Sequence, residues 1–202
     1  MHMNVHAAIG ILISMVFSSY LSDFEILFII VVMIIIDFDF LLSKFAKNHN
    51  HRRLPTHTFF LYGIFTIVGI ILFIFRISIF NFTDLWRYFI LLGICGLIHV
   101  GTDLIDWGIS LFYPFSPNLI GGILKTPDVT DEEKDEVGRC YFINKYYRSN
   151  IIKVLELTFG ISALLSIILI NINYFYVILI YFGTLTLHLI QFYSCSKEKD
   201  YN

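Results

Sequence analysis

Charge is scarce in this 202-residue chain: Asp, Glu, Lys and Arg together make up 15% of it, against about 25% in an ordinary soluble domain. That shortage excludes a disordered, self-repelling chain and a typical soluble enzyme. A basic surplus is missing too, since 14 Lys and Arg meet 16 Asp and Glu for a net charge of −2, and no nucleic-acid partner is indicated. Cysteine is sparse. Cys95, Cys140 and Cys195 are three in number and widely spaced, with no CxxC pair. This excludes a disulfide framework and a thiolate zinc site, and reads all three as small apolar fillers or free thiols. No internal repeat or low-complexity tract occurs. The first apolar stretch lacks the charged leader and cleavage site of a signal peptide, so it is expected to be retained.

What the chain has instead is apolar residues in long blocks. Hydrophobic residues are 57% and aromatics 17% of the sequence, and the mean hydropathy is +0.74. Six apolar segments stand out, at about 5–21, 25–37, 58–75, 85–105, 151–170 and 174–192. A helix needs roughly 20 residues to cross about 30 Å of hydrocarbon. The expected fold is therefore all-α: a polytopic membrane helical bundle of about six transmembrane helices, forming one domain over 1–202. The second segment is short if it stops at Asp37, because about twelve helical residues rise only about 18 Å. It either ends at the headgroups or runs on toward Phe45 and carries Asp37 and Asp39 to membrane depth, where ionisable groups are costly and functional by default.

With six spans both termini share one side. That side holds the loops 38–56 and 106–150, Lys153 and the tail, and with them twelve of the fourteen basic residues; Arg76 and Arg87 fall on the other. The positive-inside rule places the termini and both loops in the cytoplasm of a cell whose inner membrane carries the protein. Within 106–150, the apolar run 108–124 suits an interfacial or re-entrant segment. Thr130 and Glu133 have capping-box spacing for a short helix near 131–138. The acids Asp128, Asp131, Glu132, Glu133, Asp135 and Glu136 read as a solvated face.

The placement of histidine and aspartate is the informative feature. His6 opens the first segment, Asp37 and Asp39 close the second, His49, His51 and His57 precede the third, and His99 and Asp103 end the fourth. All fall at one membrane edge, where four helix ends could converge. His99 and Asp103 are four apart and share a helix face; imidazole and carboxylate without thiolate suit a metal site with an open position. The alternative is a hydrogen-bonded His–Asp pair that fastens helices. Gly96 and Gly101 beside His99 would allow close helix approach. Asp37 and Asp39 point about 200° apart on a helix, so both serve one centre only if the helix ends between them. Asp37 is the better ligand candidate, with Asp39 serving a second metal or orienting a ligating histidine. Arg52 and Arg53 could hold a phosphate or merely satisfy topology. His49 reads as solvent-facing and His51 is left open. His2 reads as frayed and His188 as packing. Glu156, one turn inside the fifth segment, is a supporting candidate: base, ligand or ion-pair partner of Lys153.

These motifs, in order, resemble the YdjM-like inner-membrane metal-dependent hydrolases, a family distantly similar to the zinc-dependent phospholipase C and single-strand nuclease superfamily. VHAAIG carries His6, IDFD carries Asp37 and Asp39, HRRLPTHT carries His51, Arg52 and His57, IHVGTD carries His99 and Asp103, and DWGISLFYPFS carries Gly108, Pro114 and Phe115. The likeness spans about residues 3–117. Ile36 stands where the family usually has Pro, and Phe40 where it often has His. The resemblance implies a phospholipase C-like helical core, one or more divalent ions, most simply Zn2+, and His6, Asp37, Asp39, His51, His57, His99 and Asp103 as metal residues. A phosphoesterase then follows chemically: metal-activated water, proton uptake by Asp37 or Asp39, and Arg52 neutralising phosphoryl charge. The expected substrate is a phospholipid or another membrane-associated phosphoester, with membrane lipids as partners. The competing reading is a non-catalytic metal-stabilised scaffold or partner-binding regulator. A transporter is disfavoured because the far halves of the segments are almost entirely apolar.

Overall fold

The first helix, α1 (Met3–Val16), is the axis around which the rest is built, with ten of its fourteen residues buried. Its small residues make this possible: a Cβ on Gly10 would sit 3.1 Å from the Ile30 Cα, so α1 and α2 (Asp23–Ile35) pack backbone to backbone. The structure, a computed structural model, describes residues 2–46, 50–77, 84–116, 118–124 and 133–197, and the regular elements among them are helices. α2 begins with a reciprocal capping box between Ser22 and Glu25 and runs on as a 3-10 segment, Ile36–Phe45. Then come α3 (Phe59–Ile74), α4 (Leu85–Asp106), α5 (Glu133–Arg148), α6 (Asn150–Ile170) and α7 (Ile178–Lys197). α1 lies against α2, α6 and α7, while α3 and α4 form a tight antiparallel pair beside α2.

Glycine sets the α3–α4 approach. A Cβ on Gly93 would come within 2.6 Å of the Thr66 backbone nitrogen and 2.8 Å of the Tyr62 carbonyl, and one on Gly96 would fall inside the Tyr62 ring. The close contact expected at Gly101 does not occur, because a Cβ there meets open space. The pairing face of α4 is the Gly93 and Gly96 stripe, and Gly101 lies off it.

Four helical stretches are long and apolar enough to cross a membrane: Asp23–Phe45, Leu85–Asp106, Asn150–Ile170 and Ile172–Ser196. The extension of the second segment past Asp37 is thus present. α1 and α3, at 14 and 16 residues, rise only about 21 and 24 Å, less than a full hydrocarbon core. Large apolar side chains cover the outside, including Leu169 at 78% exposure and Leu179 at 70%. A surface of this kind is stable against lipid and not against water.

Two expectations are corrected here. Cys140 on α5 and Cys195 on α7 are disulfide-bonded, and Cys95 alone is a buried free thiol. The partners are 55 residues apart and meet only because α5 folds back onto α7, which spacing cannot reveal. The short helix near 131–138 is longer, extending from 133 to 148; Thr130, Asp128, Asp131 and Glu132 lie outside the described residues, as does His49. Around 107–124 the described residues are irregular, with an antiparallel bridge between Ile109 and Ile120, a parallel one between Trp107 and Leu124, and Phe112 and Phe115 facing outward.

Candidate metal centre

Chain direction brings the chemistry together. α1 and α3 start, and α2 and α4 finish, at one end of the bundle. His6, Asp37, His99 and Asp103 are buried there, with potential ligand atoms within 4.8 Å of one another. His6 Nε2 lies 3.1 Å from Asp103 Oδ1 and 3.8 Å from Asp37 Oδ2. His99 Nε2 lies 3.5 Å from Asp37 Oδ1 and 3.5 Å from Asp103 Oδ2. His57 Nε2 completes the ring, 3.2 Å from Asp103 Oδ2 and 3.9 Å from Asp37 Oδ1.

The other nitrogen of each ring explains the arrangement. His99 Nδ1 donates to the Met33 carbonyl at 2.9 Å, an acceptor only. His57 Nδ1 donates to Asp39 Oδ2 at 2.8 Å. His6 Nδ1 lies 3.4 Å from the Thr102 hydroxyl, whose own hydrogen goes to the His99 carbonyl at 2.8 Å. Each imidazole therefore spends its Nδ1–H on an orienting acceptor and turns its Nε2 toward Asp37 and Asp103. This is how metal-ligating histidines are held. In the neutral rings those Nε2 atoms are lone pairs facing carboxylate lone pairs, which repel unless a cation stands between them. His57 Nε2, His99 Nε2 and Asp37 Oδ2 are buried with no hydrogen-bond partner. The donor set could hold a metal ion.

Asp39 faces a different set of groups. His51 Nδ1 donates to its Oδ1 at 2.9 Å, while His57 and the Thr56 hydroxyl share its Oδ2. Asp39, His51 and His57 form a second close-spaced group of possible ligands. The divergence anticipated for Asp37 and Asp39 is present: one points into the ring of imidazoles and the other to its outer edge, with His57 between them. Burial lowers the His51 pKa despite Asp39, whereas His57, whose burial acts the same way, is held above its ordinary value by Asp103 and Asp39.

Arg52 is anchored. Its guanidinium pairs with both Asp106 oxygens, at 3.3 and 3.4 Å, and lies 3.6 Å from Asp103 Oδ1. Burial disfavours its charge, but Asp103, Asp106 and Asp37 more than offset this and raise its pKa. Asp106, absent from the sequence-based set, is thus the partner that fixes Arg52, and nothing in the sequence distinguishes it from a helix terminator. Four buried aspartates (Asp37, Asp39, Asp103, Asp106) share this end of the bundle with the buried Arg52, so the local charge balance also favours a cation. Glu156 stands apart. It accepts from Asn4 Nδ2, while Lys153 is exposed.

No family model matches the chain, and neither a curated protein nor a solved structure does.

Proposed function

We propose that the protein is a multi-pass membrane hydrolase that uses a divalent metal to cleave a phosphoester, its metal end lying at the cytoplasmic face of the inner membrane. Six crossings, a phospholipase C-like core and kinship with the YdjM-like family belong to the same reading. One observation supports it above the others: three imidazoles, each oriented through Nδ1, turn Nε2 toward Asp37 and Asp103, and of these atoms His57 Nε2, His99 Nε2 and Asp37 Oδ2 are buried without a hydrogen-bond partner. His6, Asp37, His57, His99 and Asp103 would hold the ion. Bound there, zinc supplies a Lewis acid that lowers the pKa of water toward about 7.

The protein's own groups have separable tasks. Asp39 orients His57 and, at the outer edge of the ring, is placed to accept a proton. Both its oxygens already have donors in His51, His57 and Thr56, which favours the orienting role over ligation of a second ion. Arg52, already bound by Asp103 and Asp106, neutralises carboxylate charge at the centre and positions Asp103. The outward aromatic side chains of 108–124 suit contact with headgroups, where a phospholipid would approach. This irregular stretch is tied to the metal loop: Ser110 N donates to the Arg52 carbonyl at 3.1 Å and Phe59 N to the Leu111 carbonyl at 3.4 Å.

Burial of His6, His57, His99 and Asp103 at 0% exposure favours a second reading, a closed structural ion in a scaffold. Metal-replete protein in nanodiscs separates the two. Release of a phosphorylated headgroup or of diacylglycerol, abolished by chelation, is expected of the hydrolase. Stoichiometric metal with no turnover of any phospholipid or soluble phosphodiester would leave only the scaffold.

A further inference from the structure

The buried polar atoms that lack partners fall mainly into two groups. One is the imidazole and carboxylate ring described above. The other comprises His2 Nε2, Asn4 Oδ1, the Tyr146 and Tyr147 hydroxyls, and both ring nitrogens of His188. The histidines that read as frayed and as packing thus meet in one place. The His2 ring is 3.7 Å from Tyr146, 3.8 Å from His188 and 5.7 Å from Tyr147, centroid to centroid. Glu156 joins them through Asn4 Nδ2. Asn4, Tyr146 and His188 are 0%, 1% and 5% exposed.

Four helices build this cluster: the start of α1 brings His2, its N-cap, and Asn4, the end of α5 the two tyrosines, the first turns of α6 Glu156, and the middle of α7 His188. Buried polar groups in folded proteins almost always have partners, and an orphaned one carries its full desolvation cost. The same logic that marks the first group for a cation marks the second for a polar guest. His2 precedes His6 by one helical turn, so the second group lies about 6 Å farther along α1, on the side away from the membrane interior.

The chemistry narrows the guest. Phenols, imidazoles and an amide each donate and accept, and so match hydroxyl groups, which do both. Neither lysine nor arginine is among the six residues, so a phosphate lacks its usual partners. The close-spaced metal-ligand groups among the described residues are the two already placed, and neither includes His2, Glu156 or His188. Glu156 already accepts from Asn4, which leaves it poorly suited to an ammonium group.

We propose that His2, Asn4, Tyr146, Tyr147, Glu156 and His188 form a binding site for an uncharged polyhydroxyl group, the alcohol side of a phospholipid whose phosphate sits at the metal centre. This deepens the hydrolase reading by naming its substrate class, glycerol- or inositol-type headgroups. The full-length protein, metal-replete, is placed in phosphatidylcholine nanodiscs containing equal small fractions of phosphatidylglycerol, phosphatidylinositol, phosphatidylserine and phosphatidylethanolamine. Lipid retained on re-extraction is measured by mass spectrometry. Phosphatidylglycerol or phosphatidylinositol is expected to be enriched about tenfold over phosphatidylserine, which is anionic but lacks the hydroxyls. His188→Phe and Tyr146→Phe are each expected to cut that enrichment to below twofold with metal content unchanged; Tyr146→Phe removes a single oxygen and guards against misfolding. Equal retention of phosphatidylserine, preference for phosphatidylethanolamine, or enrichment indifferent to both variants would overturn the proposal. Retention is read without turnover, so an inactive protein that still selects hydroxylated headgroups refutes hydrolysis alone.

Discussion

Asp103→Asn is the sharpest test of the metal centre. Asp103 lies within 3.1–3.6 Å of His6, His57, His99 and Arg52, and Asn preserves its shape while deleting its charge. Ion binding to the folded state alone stabilises it by about 2.7 kcal/mol at a free concentration of 100 Kd. Loss of an anionic ligand that weakens affinity about 100-fold brings the same concentration down to Kd, where the linked stabilisation is only about 0.4 kcal/mol. At about 2–4 °C per kcal/mol for a chain of this size, the chelator-sensitive part of Tm should shrink by about 5–9 °C. The variant also loses a partner of buried Arg52, which lowers Tm with or without metal. The quantity to read is therefore the difference between scans with and without chelator, in detergent, alongside elemental analysis. Asp23→Asn, exposed at the opposite end beside Tyr174, is the control and should keep the full shift. An Asp103→Asn protein with unchanged metal content and an unchanged chelator-dependent shift would refute the proposed coordination.

Arg52→Met should destabilise by about 3–5 kcal/mol, since it removes the cationic partner of buried Asp106; adding Asp106→Leu should recover part of the lost Tm. Gly93→Ala should cost about 1–3 kcal/mol through overpacking, because the neighbouring atoms are α3 backbone and cannot swing away; an unchanged Tm would contradict the close α3–α4 approach. Metal affinity should fall as the pH falls, because ligating imidazoles must be unprotonated. Asp103 and Asp39 raise the His57 pKa, so proton competition should extend above the usual histidine range, with about a tenfold loss of affinity per pH unit for each proton displaced. Titration calorimetry at several pH values reads this slope, and a flat profile would count against His57 as a ligand.

Much of the centre was legible because of periodicity and sidedness. His99 and Asp103 share a face by spacing alone, and counting helix directions puts His6, Asp37 and His57 at the same end. Less visible were groups whose role depends on tertiary neighbours. Asp106 sits three residues past Asp103 and looks like a helix terminator until Arg52 is seen against it. Thr102 and the Met33 carbonyl orient histidines through hydrogen bonds that no motif encodes. His2 sits ahead of the first helix, where a frayed, exposed position is the default expectation, and it takes Tyr146 from α5 and His188 from α7 to pack against it. The glycines show the same limit: Gly96 and Gly101 look equivalent beside His99, but only the helix rotation distinguishes Gly96, against Tyr62, from Gly101, against nothing.

The covalent link between α5 and α7 bears on sidedness. Cystine persists in oxidising surroundings and is reduced in a cytosol, yet Cys140 and Cys195 lie at the basic end of the molecule, which the charge rule assigns to the cytosol. One purification under acid quench with a thiol-counting reagent decides between them. Three reactive sulfhydryls would set the ion-binding pole in the reduced compartment, with α5 held down by tyrosine packing alone; a single one, Cys95, would mean the whole bundle is inserted the other way up.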